Sequence, residues 1–211
     1  MTNHTKTARA KKDDKGRPRQ AATTQGSKRK AVSQKLPTSL KALNRLAAAA
    51  SFGPAWINLD VMLLDATDLI SVIITRQLPG EWLLPGVVLV DRSCLGAKDG
   101  FVGQPIRGEE GIMGFVEQVE ARGPELETCE ADFARSVVWH AMDYATTLGF
   151  RPHVDVPKHV IGPRPEPLID TPGAHPEKPH YVTGPYDDIP LVRRRLDAAV
   201  GPGNYEVVPG F

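Results

Sequence analysis

The apolar positions of the chain are densest between residues 69 and 99, LISVIITRQLPGEWLLPGVVLVDRSCLGAKD. Residues 70–75 are rich in β-branched side chains, which fit a pleated strand better than a helix. Residues 87–90 are apolar on both faces, as expected of a strand at the centre of a sheet. Pro79 and Gly80 lie between the two runs and are turn formers. The pattern therefore predicts a buried β-hairpin.

Two further periodicities complete the predicted core. Residues 52–64 roughly alternate between apolar and polar side chains, which predicts a strand before the hairpin and hence three antiparallel strands in series. Residues 129–148 have helical spacing and predict a helix that is capped by Thr128 and ended by Gly149. The apolar stripe of this helix is formed by Phe133, Val137, Ala141, Tyr144 and Leu148.

The remaining segments are less regular. Six glycines in residues 100–124 indicate an irregular connection, with a short helix at residues 112–120. Ten of the 19 prolines lie in residues 151–190, which predicts an extended loop. A short strand at residues 180–183, an aspartate-capped helix and a last strand at residues 205–208 follow.

Together these elements predict an α+β fold over residues 51–211, as a single domain. It consists of an antiparallel sheet covered by one long helix and completed by a C-terminal strand–helix–strand unit. A short amphipathic helix at residues 37–50 leads into this domain, with Leu40, Leu43 and Ala47 as its apolar stripe.

Charge is distributed unevenly along the chain, although the net charge is only +1. The first 46 residues contain 13 of the 26 Lys and Arg residues and 2 of the 25 Asp and Glu residues. They therefore carry a net charge of +11, whereas the remainder carries −10. This distribution excludes a uniformly basic nucleic-acid binder and allows a basic arm on an acidic body.

Residues 1–36 contain almost no large apolar side chain, so they cannot bury enough surface to offset the entropy of ordering. We predict that they are disordered and that their cations contact nucleic-acid phosphates. The alternative is a solvating tail or an accident of start-site choice. The cations assigned to this arm are Lys6, Arg9, Lys11, Lys12, Lys15, Arg17, Arg19, Lys28, Arg29 and Lys30.

Cys94 and Cys129 are the only cysteines, too few for a disulfide framework or a cysteine zinc site within one chain. No apolar run reaches the roughly 18 residues that span a bilayer. We therefore expect a cytoplasmic protein without a membrane partner, and we predict no cofactor.

A polar cluster follows the predicted hairpin and contains Asp91, Cys94, Gly96, Lys98 and Asp99. Loops at the ends of buried strands carry function disproportionately, so this cluster is a candidate site. The alternative is structural: Asp91 caps a turn, Lys98 pairs with an acid and Cys94 is a small buried residue.

The proline-rich loop adds His153 and Asp155 to the candidate cluster. With His159, and with His175 and His180 further on, they have ligand-capable chemistry. Scattered loop histidines are ordinary surface residues more often than ligands, so no metal site is predicted.

Three segments, VVLVDRSCLGAKD, YATTLGFRPHVD and TGPYDD, resemble in their order and spacing an uncharacterised bacterial protein family. The resemblance covers about residues 52–211. It implies an intracellular bacterial protein and implies no activity, cofactor or catalytic residue.

Three functional hypotheses follow. The first is a nucleic-acid-associated accessory protein that uses the basic arm for phosphate contacts. The second is a non-catalytic protein-interaction or regulatory module. The third is a metal-dependent nuclease of ribonuclease H-like strand order, in which Asp60, Asp91 and Asp155 would hold Mg²⁺. A Cys94 nucleophile lacks an assigned base.

Overall fold

The computed structural model describes residues 36–37, 39–58, 69–171 and 178–210. The segment for which disorder is predicted lies outside these residues, except for its last position. The helices are α1 Leu40–Ala49, α2 Gly108–Glu120, α3 Ala131–Thr147, α4 Lys158–Ile161 and α5 Ile189–Val200. The strands are β1 Phe52–Asn58, β2 Leu69–Leu78, β3 Trp82–Asp91, β4 Gly96–Val102, β5 Ile106–Arg107, β6 Leu126–Cys129, β7 His180–Thr183 and β8 Glu206–Pro209.

The main sheet is antiparallel throughout, with the order β4-β3-β2-β1-β6 and with β5 paired to β3. The predicted α+β class is confirmed, and so is the central position of β3, which pairs with β2 on one side and β4 on the other. All ten residues of β2 pair with β3, so the hairpin is longer than predicted. Its tight turn uses positive φ angles at Gly80 (76°) and Glu81 (65°).

The polar stretch after Asp91 was expected to be a loop, but most of it is a strand. Residues 92–95 form a turn, and β4 then pairs back onto β3. The sequence pattern concealed β4 because an edge strand tolerates glycine and charged residues that are also typical of loops. Here those residues include Gly96, Lys98 and Asp99.

The connection predicted to be irregular contains β5 and α2. α2 begins earlier than the short helix predicted at residues 112–120 and covers one face of the sheet. Its Ile112 and Val116 pack in a buried cluster with Trp56 and Ile73. The opposite face packs against α3 in the larger core. The sheet therefore has helices on both faces rather than one covering helix.

The long helix forms as predicted, but its start differs. Thr128 lies in β6 and pairs with Trp56, so it is not the N-cap; that position is Glu130, which makes no capping side-chain bond. Gly149 follows the helix with a φ of 80°, which confirms the predicted C-terminal glycine.

The N-terminal helix is also present and begins at Leu40, with Ser39 Oγ accepting a hydrogen bond from the amide of Ala42. Leu43 and Ala47 are buried as predicted. Leu40 is 67% exposed and does not belong to the buried stripe.

The C-terminal strand–helix–strand unit forms as predicted, and Asp188 caps α5 through the amide of Leu191. However, β7 and β8 pair in parallel as a separate two-stranded sheet and do not complete the main sheet. The unit packs onto the main domain through a second buried cluster. That cluster comprises Cys94, Ala145, Leu148, Phe150, Tyr181, Val192 and Leu196.

Two buried arginines fix the chain around α4. The guanidinium carbons of Arg76 and Arg135 lie 3.6 and 4.0 Å from the ring centroid of Phe52. Arg76 Nε donates to Val160 O at 2.7 Å, and Arg135 Nε donates to Ile161 O at 2.9 Å. Burial and the neighbouring Arg135 lower the pKa of Arg76 to about 10. These contacts fix α4, which directly follows the candidate residues His153 and Asp155 in the chain.

Among the described residues, no helix has the length and apolar character needed to cross a bilayer.

Candidate functional site

Segments from three distant parts of the chain meet at β4, which forms one edge of the main sheet. The His153 amide donates to Ala97 O at 3.0 Å, so the segment after α3 runs beside this edge. The His180 amide donates to Ser93 O at 3.1 Å and brings β7 to the turn before β4. The fold thus joins the candidate residues that follow the hairpin with those of the proline-rich loop.

Close approach at this edge depends on Gly100. A Cβ atom at this position would lie 2.8 Å from Val87 O and 2.9 Å from Pro157 Cδ. Both separations are shorter than real Cβ contacts allow. Val156, next to Pro157, is only 4% exposed and belongs to the core. The packing of Val156 and Pro157 therefore holds the loop that contains His153 against β4.

Asp99, His153 and Asp155 form a surface cluster, here called the Asp–His–Asp cluster. His153 Nδ1 lies 3.8 Å from Asp99 Oδ1 and 3.6 Å from Asp155 Oδ2. One potential ligand atom from each residue lies within 4.8 Å of the other two. The three side chains are 48–68% exposed. This arrangement is open to water and to small ions.

Lys98 lies next to Asp99 in β4 and takes part in a different, half-buried network. Its Nζ donates to Asp187 Oδ2 at 2.8 Å and to Val182 O at 3.2 Å. Asp187 Oδ2 also accepts bonds from Tyr181 Oη at 3.0 Å and from the Gly184 amide at 2.7 Å. Lys98, Tyr181 and Asp187 are here called the Lys98 network, and they join β4 to the C-terminal unit.

Ionisation within the Lys98 network follows from these contacts. Burial opposes ionisation of Asp187, but the hydrogen bonds from Lys98, Gly184 and Tyr181 hold its pKa below the ordinary value. Burial and the bond to Asp187 raise the pKa of Tyr181. The carboxylate is therefore the charged partner of Lys98, and Tyr181 is a neutral donor.

Asp91 is the last residue of β3, and Cys94 lies in the buried turn that joins β3 to β4. Asp91 Oδ1 accepts bonds from the amides of Ser93 at 3.1 Å and Cys94 at 2.8 Å. Burial raises the pKa of Asp91 to about 6, against the opposing effects of the turn amides and Lys98. Burial and Asp91 also raise the pKa of Cys94, so its thiol is not an activated nucleophile. These contacts match the structural alternative for both residues.

Gly96 ends the same turn, with a φ of 71°. A Cβ atom there would lie 2.8 Å from the Ala145 Cβ and 3.0 Å from Ala141 O. Its role is thus to let β4 begin close against α3.

Two of the three carboxylates of the nuclease hypothesis are described, and they lie in different surroundings. Asp60 lies outside the described residues. Asp91 is fully buried in its turn, whereas Asp155 is at the surface with Asp99 and His153. The expected strand order also differs, because neither of the strands described after α3, β7 and β8, joins the main sheet.

Of the remaining histidines of the proline-rich loop, the two described ones, His159 and His180, do not extend the surface cluster. His159 lies near Arg76, and burial together with that arginine lowers its pKa. His180 lies in β7. His175 lies outside the described residues. Among the described His, Cys, Asp and Glu residues, only the Asp–His–Asp cluster has three ligand atoms close enough to share an ion.

A basic surface that the site predictions did not include lies on α5. Arg193, Arg194 and Arg195 are exposed, and the Arg195 guanidinium carbon is 5.6 Å from the ring centroid of Phe150. Exposed Arg151 follows this phenylalanine directly. Within the part of the chain that the structure describes, none of the four arginines has a carboxylate within 4.0 Å. They are here called the arginine surface.

No protein-family model, curated protein or solved structure matches the chain.

Proposed function

We propose that the protein binds nucleic acid through sequence-independent phosphate contacts, made chiefly by its basic N-terminal segment. The observation that carries this proposal is the segregation of charge, with 13 Lys and Arg residues against 2 acidic residues in the first 46 positions. Each phosphate that Lys or Arg neutralises releases condensed counterions, which favours binding at low salt.

The arginine surface supports the proposal from the folded part of the protein. Arg193, Arg194 and Arg195 are exposed and form no ion pair with the described acidic residues, so their guanidinium groups remain available to a phosphate. The folded part as a whole is acidic and repels a polyanion. We therefore assign the larger contribution to the N-terminal segment and a smaller one to these arginines.

The test is the anisotropy of a labelled duplex of about 20 base pairs, titrated with the full chain at several salt concentrations. If about five phosphates are engaged, log K should fall against log salt with a slope of about −4 to −5. Affinity should vary little with duplex sequence, because phosphate contacts carry no sequence information.

Two matched variants separate the contributing surfaces. Replacing Arg193, Arg194 and Arg195 by Gln should reduce the slope by about one to two, since fewer phosphates are contacted. The control replaces three other exposed cations, Arg107, Arg122 and Lys158, by Gln and changes the net charge equally.

Two results would overturn the proposal. Absence of duplex binding at about 50 mM salt would favour the interaction-module alternative. A slope near zero with strong sequence preference would instead place recognition on base edges.

A further inference from the structure

The Asp–His–Asp cluster concentrates negative charge and ligand lone pairs at one point. Among the described residues, no Lys or Arg lies within ion-pair distance of Asp99 or Asp155. The neighbouring Lys98 is committed to Asp187. Within the described part of the chain, the only cationic side chain close enough to balance the two carboxylates is a protonated His153.

The hydrogen bonding of His153 indicates how its ring is oriented. The Asp155 amide donates to His153 Nδ1 at 3.4 Å, so Nδ1 acts as an acceptor, and the same atom lies 3.8 Å from Asp99 Oδ1 and 3.6 Å from Asp155 Oδ2. At 3.4 Å this hydrogen bond is long and therefore weak, so a metal ion could replace it at Nδ1. Asp99 Oδ1 accepts a 2.7 Å bond from the Gly100 amide, which fixes its position. Three acceptor atoms thus converge where a cation would satisfy them.

Two of the three distances within the Asp–His–Asp cluster are close to those of a metal site, and all three potential ligand atoms lie within 4.8 Å of one another. Ligand atoms of a tetrahedral ion with bonds of about 2.1 Å lie roughly 3.4 Å apart. The separations from His153 Nδ1 to the two carboxylate oxygens are 3.8 and 3.6 Å. Small rotations of the exposed side chains would remove this difference. The backbone stays fixed by the hydrogen bond from His153 to Ala97 and by the packing of Pro157 against Gly100.

We propose that Asp99, His153 and Asp155 form a binding site for a divalent first-row transition-metal ion such as Zn²⁺ or Mn²⁺. The imidazole nitrogen favours these ions over Mg²⁺ and Ca²⁺, which prefer oxygen ligands alone. Three protein ligands leave the remaining coordination positions to water or to a bound molecule. This site does not depend on the proposed nucleic-acid binding, and either can fail without the other.

The competing arrangement is a protonated His153 that pairs with both aspartates. A proton and a metal ion occupy the same lone pair, so they exclude each other. In that case the cluster would be a surface ion pair without affinity for Zn²⁺. Direct measurement of metal binding separates the two arrangements.

The experiment is isothermal titration of the metal-stripped full chain with Zn²⁺, together with the visible absorption of the Co²⁺ complex. The wild-type chain should bind one ion with His153 as a ligand. Asp99→Asn, His153→Gln and Asp155→Asn should each weaken Zn²⁺ binding by about tenfold or more, since loss of even an outer-shell partner has effects of that size. Asp170→Asn, which removes another exposed carboxylate, should bind as wild type does.

Two outcomes would overturn the proposal. One is the absence of Zn²⁺ and Co²⁺ binding by the wild-type chain at millimolar metal. The other is binding that all three variants retain, which would place the ion elsewhere. The thermal midpoints of the stripped variants show that each remains folded, so loss of binding reports on the site itself.

Discussion

Lys98 and Asp99 are neighbours in β4, yet their side chains belong to two different kinds of polar cluster. Lys98 lies at a bulge in β4, because Ala97 pairs with Val90 and Asp99 pairs with Leu89. The extra residue interrupts the regular alternation of the strand, and the two neighbouring side chains enter different environments. On one side, Lys98 is 14% exposed, and its ammonium group has both a carboxylate and a carbonyl partner. On the other side, Asp99 is 66% exposed and faces further acceptors.

The difference indicates what each cluster can do. A half-buried network whose donors and acceptors are matched stabilises one arrangement of the elements it joins and leaves no group for a ligand. An exposed set of acceptors contributes little to stability and can bind a cation. We therefore assign the Lys98 network to the docking of the C-terminal unit and the Asp–His–Asp cluster to binding.

The largest expected effect is that of Lys98→Met. The substitution leaves the charge of Asp187 half-buried without its cation, and we expect a loss of roughly 2–4 kcal/mol in the free energy of unfolding. Urea titration provides the measurement. Adding Asp187→Asn should recover part of the loss, because it removes the uncompensated charge. A neutral Lys98→Met would contradict the structural role of the network.

The next effect concerns pH and Asp91, whose pKa is about 6 in the folded state and about 3.9 in a model peptide. Between these values the folded state retains a proton that the unfolded state has released. Stability therefore falls as pH rises from about 4 to 6 and stays at the lower level above that range. We expect this change to amount to roughly 2–3 kcal/mol.

The pH effect of Asp91 is isolated by comparison with Asp91→Asn, whose amide oxygen can still accept the turn hydrogen bonds. Free energies of unfolding are measured for both chains at about pH 4 and pH 7. The wild-type chain should lose more stability than the variant over this interval. Parallel pH profiles would show that Asp91 ionises as an ordinary carboxyl group.

Gly100→Ala tests whether the packing of the loop against Gly100 positions the Asp–His–Asp cluster. The added methyl group would overlap Val87 O and Pro157, so we expect a loss of about 1–3 kcal/mol from overpacking. The shifted loop should also weaken Zn²⁺ binding, although no ligand is changed. Unchanged stability together with unchanged Zn²⁺ affinity would show that the position of His153 does not depend on packing against Gly100.

The smallest effect is expected for Asp99→Asn in the absence of metal. Exposed substitutions away from the core usually change stability by within about 0.5 kcal/mol. The change should be slightly stabilising, because it relieves repulsion with Asp155. A loss comparable to that of Lys98→Met would mean that the exposed cluster is itself a structural contact.

Sequence patterns predicted the elements whose periodicity is strong. The β2–β3 hairpin and α3 have long runs of buried positions, and the aspartate cap of α5 has a local chemical signature. β4 was missed, and the helix predicted at residues 112–120 omitted the first turn of α2, because glycines and charges in these segments resemble loop composition. The burial of Arg76 and Arg135 was missed because arginine is ordinarily exposed.

The individual members of the Asp–His–Asp cluster were recognised as candidates, but their convergence was not predicted. It depends on the docking of the loop after α3 against Gly100, which is a long-range contact without a local pattern. His153 and Asp155 were considered as ligands without Asp99, which lies in a distant strand. Hydrophobic periodicity contains no information on this pairing, which arises only from the tertiary packing.

The most direct test of the two roles is the thermal midpoint of Lys98→Met and Asp99→Asn, each measured with and without Zn²⁺. A ligand that binds only the folded state raises the midpoint. Lys98→Met should have a lowered midpoint in chelator and should still rise with Zn²⁺. The thermal midpoint of Asp99→Asn should equal that of the wild type in chelator and should not increase when Zn²⁺ is added. The account would be contradicted if Asp99→Asn kept the full Zn²⁺ shift, or if Lys98→Met left the midpoint in chelator unchanged.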